Sequence, residues 1–267
     1  MSAPEIRFGD WREVLSDVRR ADALIFDAPY SEKTHAGHNS GTRSDESGIG
    51  YGHRRNTRAI CYEHFTDRDV AEVVDAWHDR IDGWIVSITD HVLAPVWAAK
   101  LEAAGRYVFP PLPIVDVGMT VRLAGDGPSS WTCWAIVARP KTRAFHRWGA
   151  LRGAYLYRGN SDLAARRTVM GGKRLDTMRD IVRDYTRPGD LVIDPFAGGG
   201  TTLLAAALEG RRAIGAEMMP EHYAIAEARL ARGYTPPLFV EGAGRLAPEQ
   251  VELTLAGEGG DGEGGEP

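Results

Sequence analysis

Apolar positions along this 267-residue chain follow two habits: short runs that fit buried strands, and spaced stripes that fit one face of a helix. The runs at Glu5–Gly9, Asp22–Phe26, Trp84–Thr89, Arg106–Phe109, Trp131–Ala138, Leu191–Ile193 and Arg212–Glu217 predict seven strands. Helical spacing links Trp11, Val14, Leu15 and Val18, then Val70, Val73, Val74, Trp77 and Ile81 behind a capping-box start at Thr66 and Asp69. A third helix spans Val92–Ala104, with Pro95 in its first turn and Gly105 at its end. Leu175, Met178, Ile181, Val182 and Tyr185 mark a fourth, Leu203–Leu208 closed by Gly210 a fifth, and Pro220–Arg232 ahead of Gly233 a sixth. Strands alternating with helices predict an α/β fold around a largely parallel sheet, with the tryptophans in its core.

Three stretches escape either habit. Ser31–Glu63 is rich in Gly, Ser, His and Arg, and a patternless loop of that length inside a compact domain is usually functional or disordered. Between Lys33 and Arg58 it holds five bases, Arg54 and Arg55 among them, against two acids. His35, His38 and His53 have no cysteine or spaced carboxylate to complete a metal site, so they read as solvated or phosphate-facing. Arg139–Arg174 carries ten bases and one acid with Phe145, His146, Trp148, Tyr155 and Tyr157 interleaved, a composition that suits phosphate contact better than a plain solvated face. From Gly242 to Pro267 the chain becomes polar and then Gly- and Glu-rich, which predicts a disordered acidic tail beyond a single folded domain of residues 1–241.

That tail changes the meaning of the net charge. Glu258, Asp261, Glu263 and Glu266 supply four of the net five negative charges, so the folded part is close to neutral and its basic segments stand out. Cys61 and Cys133 form no metal-ligand spacing and imply a reducing, cytoplasmic compartment. Residues Met1–Arg7 lack the basic and apolar regions of a secretion signal, and no apolar run is long enough to span a bilayer, so no membrane partner is expected. Monomer and homodimer are both compatible with this composition.

The densest chemical signal is Leu191-Val-Ile-Asp-Pro-Phe-Ala-Gly-Gly-Gly-Thr-Thr202. A strand ends at Asp194-Pro195, three glycines permit a tight turn with close backbone approach, and Thr201 opens a helix. This is the geometry that presents free backbone N–H groups to the polar part of a nucleotide-like ligand. A phosphate loop of the Walker type needs a lysine that is missing here, and a nicotinamide fingerprint needs a glycine where Leu203 stands. Glu217, at the end of the next strand, has the spacing of an acid that grips ribose hydroxyls. A plain Gly-rich turn in an ordinary α/β domain is the alternative. Upstream, Asp27-Ala28-Pro29-Tyr30 places an acid, a stiffened turn and an aromatic at a strand end. Alone it reads equally as a built site or as an Asp-initiated β-turn with a core tyrosine.

Together, Asp27-Ala-Pro-Tyr30, the later Asp194–Thr202 turn and Glu217 resemble the amino-group DNA methyltransferases that use S-adenosylmethionine. The order, tetrapeptide first and cofactor turn last with a basic region between, is similar to the β group of that family, and the likeness runs from about Ile6 to Arg232. It implies a seven-stranded, mostly parallel Rossmann-like sheet, circularly permuted so that the third strand comes first, with basic target-recognition loops at 31–63 and 139–174. The strands ending at Asp27 and Asp194 would be central neighbours. The resemblance implies that Asp27 and the Ala28 carbonyl accept the hydrogens of an exocyclic base amine, with Pro29 shaping the turn and Tyr30 stacking on a flipped base. It assigns the cofactor to Asp10, Lys173, Asp194, Pro195, Phe196, Ala197, Gly198, Gly200, Thr201, Thr202 and Glu217. Double-stranded DNA is the implied partner, met by Arg54, Arg55, Arg139, Lys141, Arg143, Arg147, Arg158, Arg166 and Arg167.

Two departures stand out. Ala28 replaces the family's usual proline and loses its fixed φ, which predicts a less rigid clamp. The family's Lys-Pro before the cofactor helix is Lys173-Arg174 here. An initial Asp favours adenine N6 over cytosine N4. A protein- or RNA-directed amine methyltransferase and a DNA-binding relative with little turnover remain the competing classes.

Overall fold

The computed structural model describes residues 3–35, 63–117, 131–142, 148–158, 169 and 172–232. The chain divides into a unit of residues 1–234 and a second of 235–267; the expected boundary near 241 and the acidic tail lie outside the described residues.

Nine described strands form one sheet. They are β1 (Glu5–Phe8), β2 (Ala21–Asp27), β3 (Ile81–Thr89), β4 (Tyr107–Val108), β5 (Leu112–Val117), β6 (Thr132–Arg139), β7 (Tyr155–Arg158), β8 (Leu191–Asp194) and β9 (Arg212–Glu217). Their spatial order is β1-β9-β8-β2-β3-β6-β5-β7, with the two-residue β4 beside β6. The seven predicted strands are all present; β5 and β7 are additional. Only β6 runs against the other described strands, being antiparallel to β3, β4 and β5. The first strand in the chain therefore sits at one edge, the permuted order that the resemblance implied.

Helices cover both faces. Strand β2 shows why: Leu24 and Phe26 enter one apolar cluster while Ala23 and Ile25 enter the other, so the whole run Ala23–Phe26 is buried and reads as continuously apolar. The first cluster is closed by α1 (Trp11–Val14), α2 (Asp67–Trp77) and α3 (Ala94–Ala103), the second by α4 (Leu175–Tyr185) and α5 (Thr201–Leu208). A last helix, α6 (Pro220–Arg232), follows β9. The capping box that opens α2 is present, with the Thr66 N–H donating to the Asp69 carboxylate at 2.8 Å. The first helix is shorter than its apolar spacing predicts: it ends at Val14, and Leu15 and Val18 reach the core from the turn that follows. Trp11, Trp77, Trp84 and Trp97 are buried, each contributing roughly 2–3 kcal/mol of apolar burial.

Candidate active site

Strands β2 and β8 are parallel neighbours, with Ala23 opposite Val192 and Leu24 opposite Ile193. Asp27 and Asp194 therefore leave the sheet side by side at its carboxyl edge. The next two strands out add Glu217 at the end of β9 and Asp90 just after β3. Four carboxylates thus stand at the ends of four adjacent parallel strands, where open α/β sheets hold their ligands.

The turn after β8 is built from its own sequence. Asp194 Oδ1 accepts the Phe196 N–H at 2.9 Å, and the Ala197 N–H donates across to the Ala216 carbonyl of β9 at 2.9 Å. Gly198 (φ +52°) and Gly200 (φ +72°) then take left-handed conformations that bring the chain into α5. A side chain on Gly198 would enter the space above the turn, next to Val169. Gly200 has a different constraint: a Cβ there would stand 3.1 Å from Ala226 Cβ, so this glycine lets α6 close on the turn. Gly200→Ala is expected to destabilise the fold by about 1–3 kcal/mol, from the left-handed φ plus the contact with α6. Gly189→Ala, also at positive φ but with nothing near its Cβ, is expected to lose only the backbone part. Denaturant midpoints of the two variants provide the measurement.

Glu217 and Asp194 share this turn. Glu217 Oε2 accepts the Gly198 N–H at 2.8 Å and Oε1 accepts the Met219 N–H at 2.7 Å, so the acid assigned to ribose also fixes the glycine turn. Complete burial pushes the Asp194 carboxyl up to about 7; hydrogen bonds from Thr202 and the Phe196 N–H oppose the rise, and Asp27 and Glu217 add to it. Pro195, Ala197, Thr201 and Thr202 are buried. Phe196 packs edge-on to Phe65 at 5.2 Å and lies 5.7 Å from Phe26 and 6.3 Å from Trp11, forming an aromatic cluster beside the turn. The Gly9 N–H donates to the Glu217 carbonyl at 3.0 Å, which brings Asp10 beside β9; its carboxylate caps α1 and pairs with Arg12 at 2.9 Å.

The tetrapeptide turn is tied to the neighbouring strand β3. The Ala28 N–H donates to the Ile88 carbonyl at 3.2 Å, a bond proline could not make, and its side chain is buried. The ladder between β2 and β3 thereby continues one residue past Asp27, replacing a ring constraint with a hydrogen bond. Beyond the turn, one carboxylate gathers the chain: Asp90 accepts the Ser31 N–H (2.9 Å), the Ser31 hydroxyl (2.5 Å), the Thr34 hydroxyl (2.5 Å) and the N–H groups of Val92 and Leu93 (3.0 Å each). Burial opposes the charged form of Asp90, but these hydrogen bonds together outweigh it and hold the carboxyl below its ordinary range. The Tyr30 carbonyl accepts the Phe65 N–H at 3.0 Å, closing the turn from its other side.

Two residues at this edge escaped the sequence reading. Asp90 looked like any acid after a strand, since its partners Ser31 and Thr34 lie 59 and 56 positions away. Arg229, in the last turns of α6, donates to the Gly199 carbonyl (3.0 Å) and the Thr201 hydroxyl (2.8 Å), and nothing in its local sequence signals that.

Lys173, assigned with the cofactor residues, is brought to the Asp27–Tyr30 tetrapeptide. Its Nζ donates to Asp27 Oδ2 at 2.7 Å and stands 4.9 Å from the centre of the Tyr30 ring. Other members of the basic segment also have acidic partners: Arg152 pairs with Asp180 and Asp184, and Arg174 with Asp176 and Asp116. The local excess of charge counted along the sequence is thus reduced by acids on α4 and β5. Arg139 lies over the rings of Tyr107 (4.7 Å) and Phe109 (5.7 Å), and Lys141 is exposed just beyond it. Because β6 runs backwards, both sit at the amino edge, about five residues or ~17 Å along the strands from the carboxyl edge. Arg139 and Lys141, expected among the DNA contacts, thus stand at the edge opposite Asp27. Arg158 ends β7 beside Val117, at the carboxyl edge. Arg54, Arg55, Arg143, Arg147, Arg166 and Arg167 lie outside the described residues, as do Cys61, His38 and His53. Among the described residues no cluster of His, Cys, Asp and Glu could hold a metal ion, and no helix is long and apolar enough to cross a membrane.

Comparison with known proteins bears on the same segment. Residues 173–228 match the family model of N6/N4 methyltransferases, described as DNA methylase. The orphan methyltransferase M.BamHII of Bacillus amyloliquefaciens is 39% identical over 70 residues, 26% of each chain. The type II methyltransferase M.XycI of Xanthomonas campestris pv. cyanopsidis is 40% identical over 55 residues, 21% of this chain and 18% of its own. Matches to curated relatives thus span about a quarter or less of their length. Likeness in fold extends much further. The structure of M1.HpyAVI in complex with SAM superposes with a TM-score of 0.61 at 23% identity, covering 85% of this chain and 98% of that one. The cytosine-N4-specific PvuII DNA methyltransferase gives 0.59 at 14% identity, covering 90% and 89%.

Proposed function

We infer that this chain is an S-adenosylmethionine-dependent DNA methyltransferase of the amino-group family, acting on the exocyclic amine of a base flipped from duplex DNA, with adenine N6 as its target. One observation carries the reading: Asp27 and the Asp194 turn open on the same edge of adjacent strands, so acceptor and donor would share one cleft. The family match over 173–228 supports the cofactor half, and the fold supports the arrangement of both halves.

The cleft suits this cofactor better than a phosphorylated one. Asp194, Glu217 and Asp27 crowd carboxylates around the glycine turn, and the ammonium of Lys173 is engaged by Asp27. Such a donor set disfavours a phosphate chain and favours a ligand of net positive charge. Gly198 leaves room above the turn, and Glu217 presents a carboxylate where ribose hydroxyls are recognised. When bound, S-adenosylmethionine supplies an electrophilic methyl group on a sulfonium.

A base amine is a poor nucleophile because its lone pair is delocalised into the ring. The Asp27 carboxylate accepts one amine hydrogen and the Ala28 carbonyl the other, turning the lone pair out of the ring plane. As the nitrogen gains its methyl group, the proton it loses is held at the Asp27 carboxylate. Tyr30 stacks on the displaced base and offsets an unstacking cost of roughly a few kcal/mol. No covalent intermediate with the protein is needed; orientation and placed charge lower the barrier.

DNA would meet the carboxyl edge, where the described flanks of residues 36–62, 118–130 and 159–168 all lie. The bases Arg54, Arg55, Arg158, Arg166 and Arg167 are proposed as its phosphate contacts. Mass spectrometry of nucleosides from DNA treated with the protein and S-adenosylmethionine tests the reading. N6-methyladenine is expected; N4-methylcytosine alone would keep the reaction and overturn the choice of base, and methyl groups appearing only in protein or RNA would overturn the DNA target.

A further inference from the structure

Two contacts of Lys173 coincide with those the proposed function reserves for the target base. Its ammonium donates to the Asp27 carboxylate at 2.7 Å, as the base amine would, and stands 4.9 Å from the centre of the Tyr30 ring, against which the base would stack. Both side chains of the ion pair are largely withdrawn from solvent, 13% exposed for Lys173 and 23% for Asp27, so water screens the pair weakly. The Gly172 N–H donates to the Val169 carbonyl at 3.1 Å, and Val169 stands 3.8 Å from the Cβ position of Gly198. Lys173 thus touches Asp27 and Tyr30, and the nearby Val169 stands at the glycine turn.

We propose that Lys173 is an internal stand-in for the target amine: it occupies the base-receiving contacts of Asp27 and Tyr30 until a flipped base displaces it. This rests on the functional reading above. The consequence is a competition. The ammonium keeps Asp27 and Tyr30 in their receiving arrangement, and it also reduces the fraction of protein ready to accept a base, which weakens apparent capture in proportion. Lys173 is thus a positioning residue whose loss favours base entry.

The test uses a duplex with 2-aminopurine at the target position, located beforehand by single-molecule sequencing of DNA methylated by the unaltered chain. In cofactor-free protein at saturating DNA, Lys173→Met is expected to raise the fluorescence of the flipped base by about threefold or more, and in separate turnover assays with S-adenosylmethionine to lower the DNA KM by a similar factor. Lys173→Arg, which keeps a cation for Asp27 and for the Tyr30 face, is expected to stay near the parent. Fluorescence in Lys173→Met that is unchanged or reduced would overturn the proposal, a reduction meaning that the lysine helps hold the base. Should the methionine variant fail to fold, Lys173→Gln, which keeps a donor but no cation, is read in the same way. If the unaltered chain methylates no DNA, the functional reading itself fails and this inference goes with it.

Discussion

Asp27→Ala is expected to lower methyl transfer by about three orders of magnitude while S-adenosylmethionine binds within about twofold of the parent. The expectation follows from where the side chain stands. Asp27 leaves β2 next to Asp194, whereas the glycine turn is fixed by Glu217, Asp194 and Arg229. Removing it takes away the carboxylate that orients the amine and receives its proton, and leaves the cofactor half standing. Asp27→Asn separates these roles: it keeps an oxygen that accepts a hydrogen bond but cannot hold the proton as a carboxylate does, so an intermediate loss is expected. Single-turnover rates with saturating DNA, beside calorimetric titration of the cofactor, provide the two readouts. Equal losses in both would mean that Asp27 supports the cofactor site and not the chemistry.

Much of this was legible along the chain, for physical reasons that differ between elements. Strands β2 and β8 are buried on both faces, and their uninterrupted apolar runs announced them. The glycine turn announced itself because left-handed φ values at Gly198 and Gly200 admit few other residues. Strand β5 was hidden by Pro110, Pro111 and Pro113 around its start. Proline argues against a strand, yet Pro113 lies one residue before the pairing with β7 begins at Ile114. Strand β7 was hidden by inverted polarity: Leu156 is exposed while Tyr155 and Tyr157 turn inward, their hydroxyls donating to Asp184 and Asp180 of α4, each at 2.8 Å.

The site divides in the same way. Residues that act through their own local sequence, such as the Asp194 turn and the tetrapeptide, could be found by motif. Residues that act through partners far along the chain could not. Asp90 organises the exit of the tetrapeptide from the end of a different strand, and Lys173 reaches Asp27 across 146 positions. The charge count over 139–174 misled for a related reason. A one-dimensional sum cannot register that β6 carries Arg139 to the opposite edge, or that acids on α4 neutralise Arg152.

Asp194→Asn is expected to change the pH dependence of stability more than any other single substitution at this edge. In the parent, burial raises the Asp194 carboxyl from 3.8 to about 7, so between these values the folded chain binds a proton that the unfolded chain has released. Stability from this group is therefore full below about pH 4, falls as pH rises towards 7, and levels off above it, the reverse of an ion-paired carboxylate. A displacement of about three pH units corresponds to about 4 kcal/mol at pH 8. Asparagine removes the titration and keeps an oxygen for the Phe196 N–H, which anchors the turn. The variant should thus match the parent near pH 4 and exceed its melting temperature at pH 8 by on the order of 10 °C. The same charge that weakens the empty fold favours a cationic ligand beside it, so the stabler variant should bind S-adenosylmethionine less tightly at pH 8. Thermal unfolding of both chains from pH 4 to 8 decides the matter. Parallel curves would mean that Asp194 is ionised throughout this range, and that the carboxylates at the strand ends are stabilised in some other way.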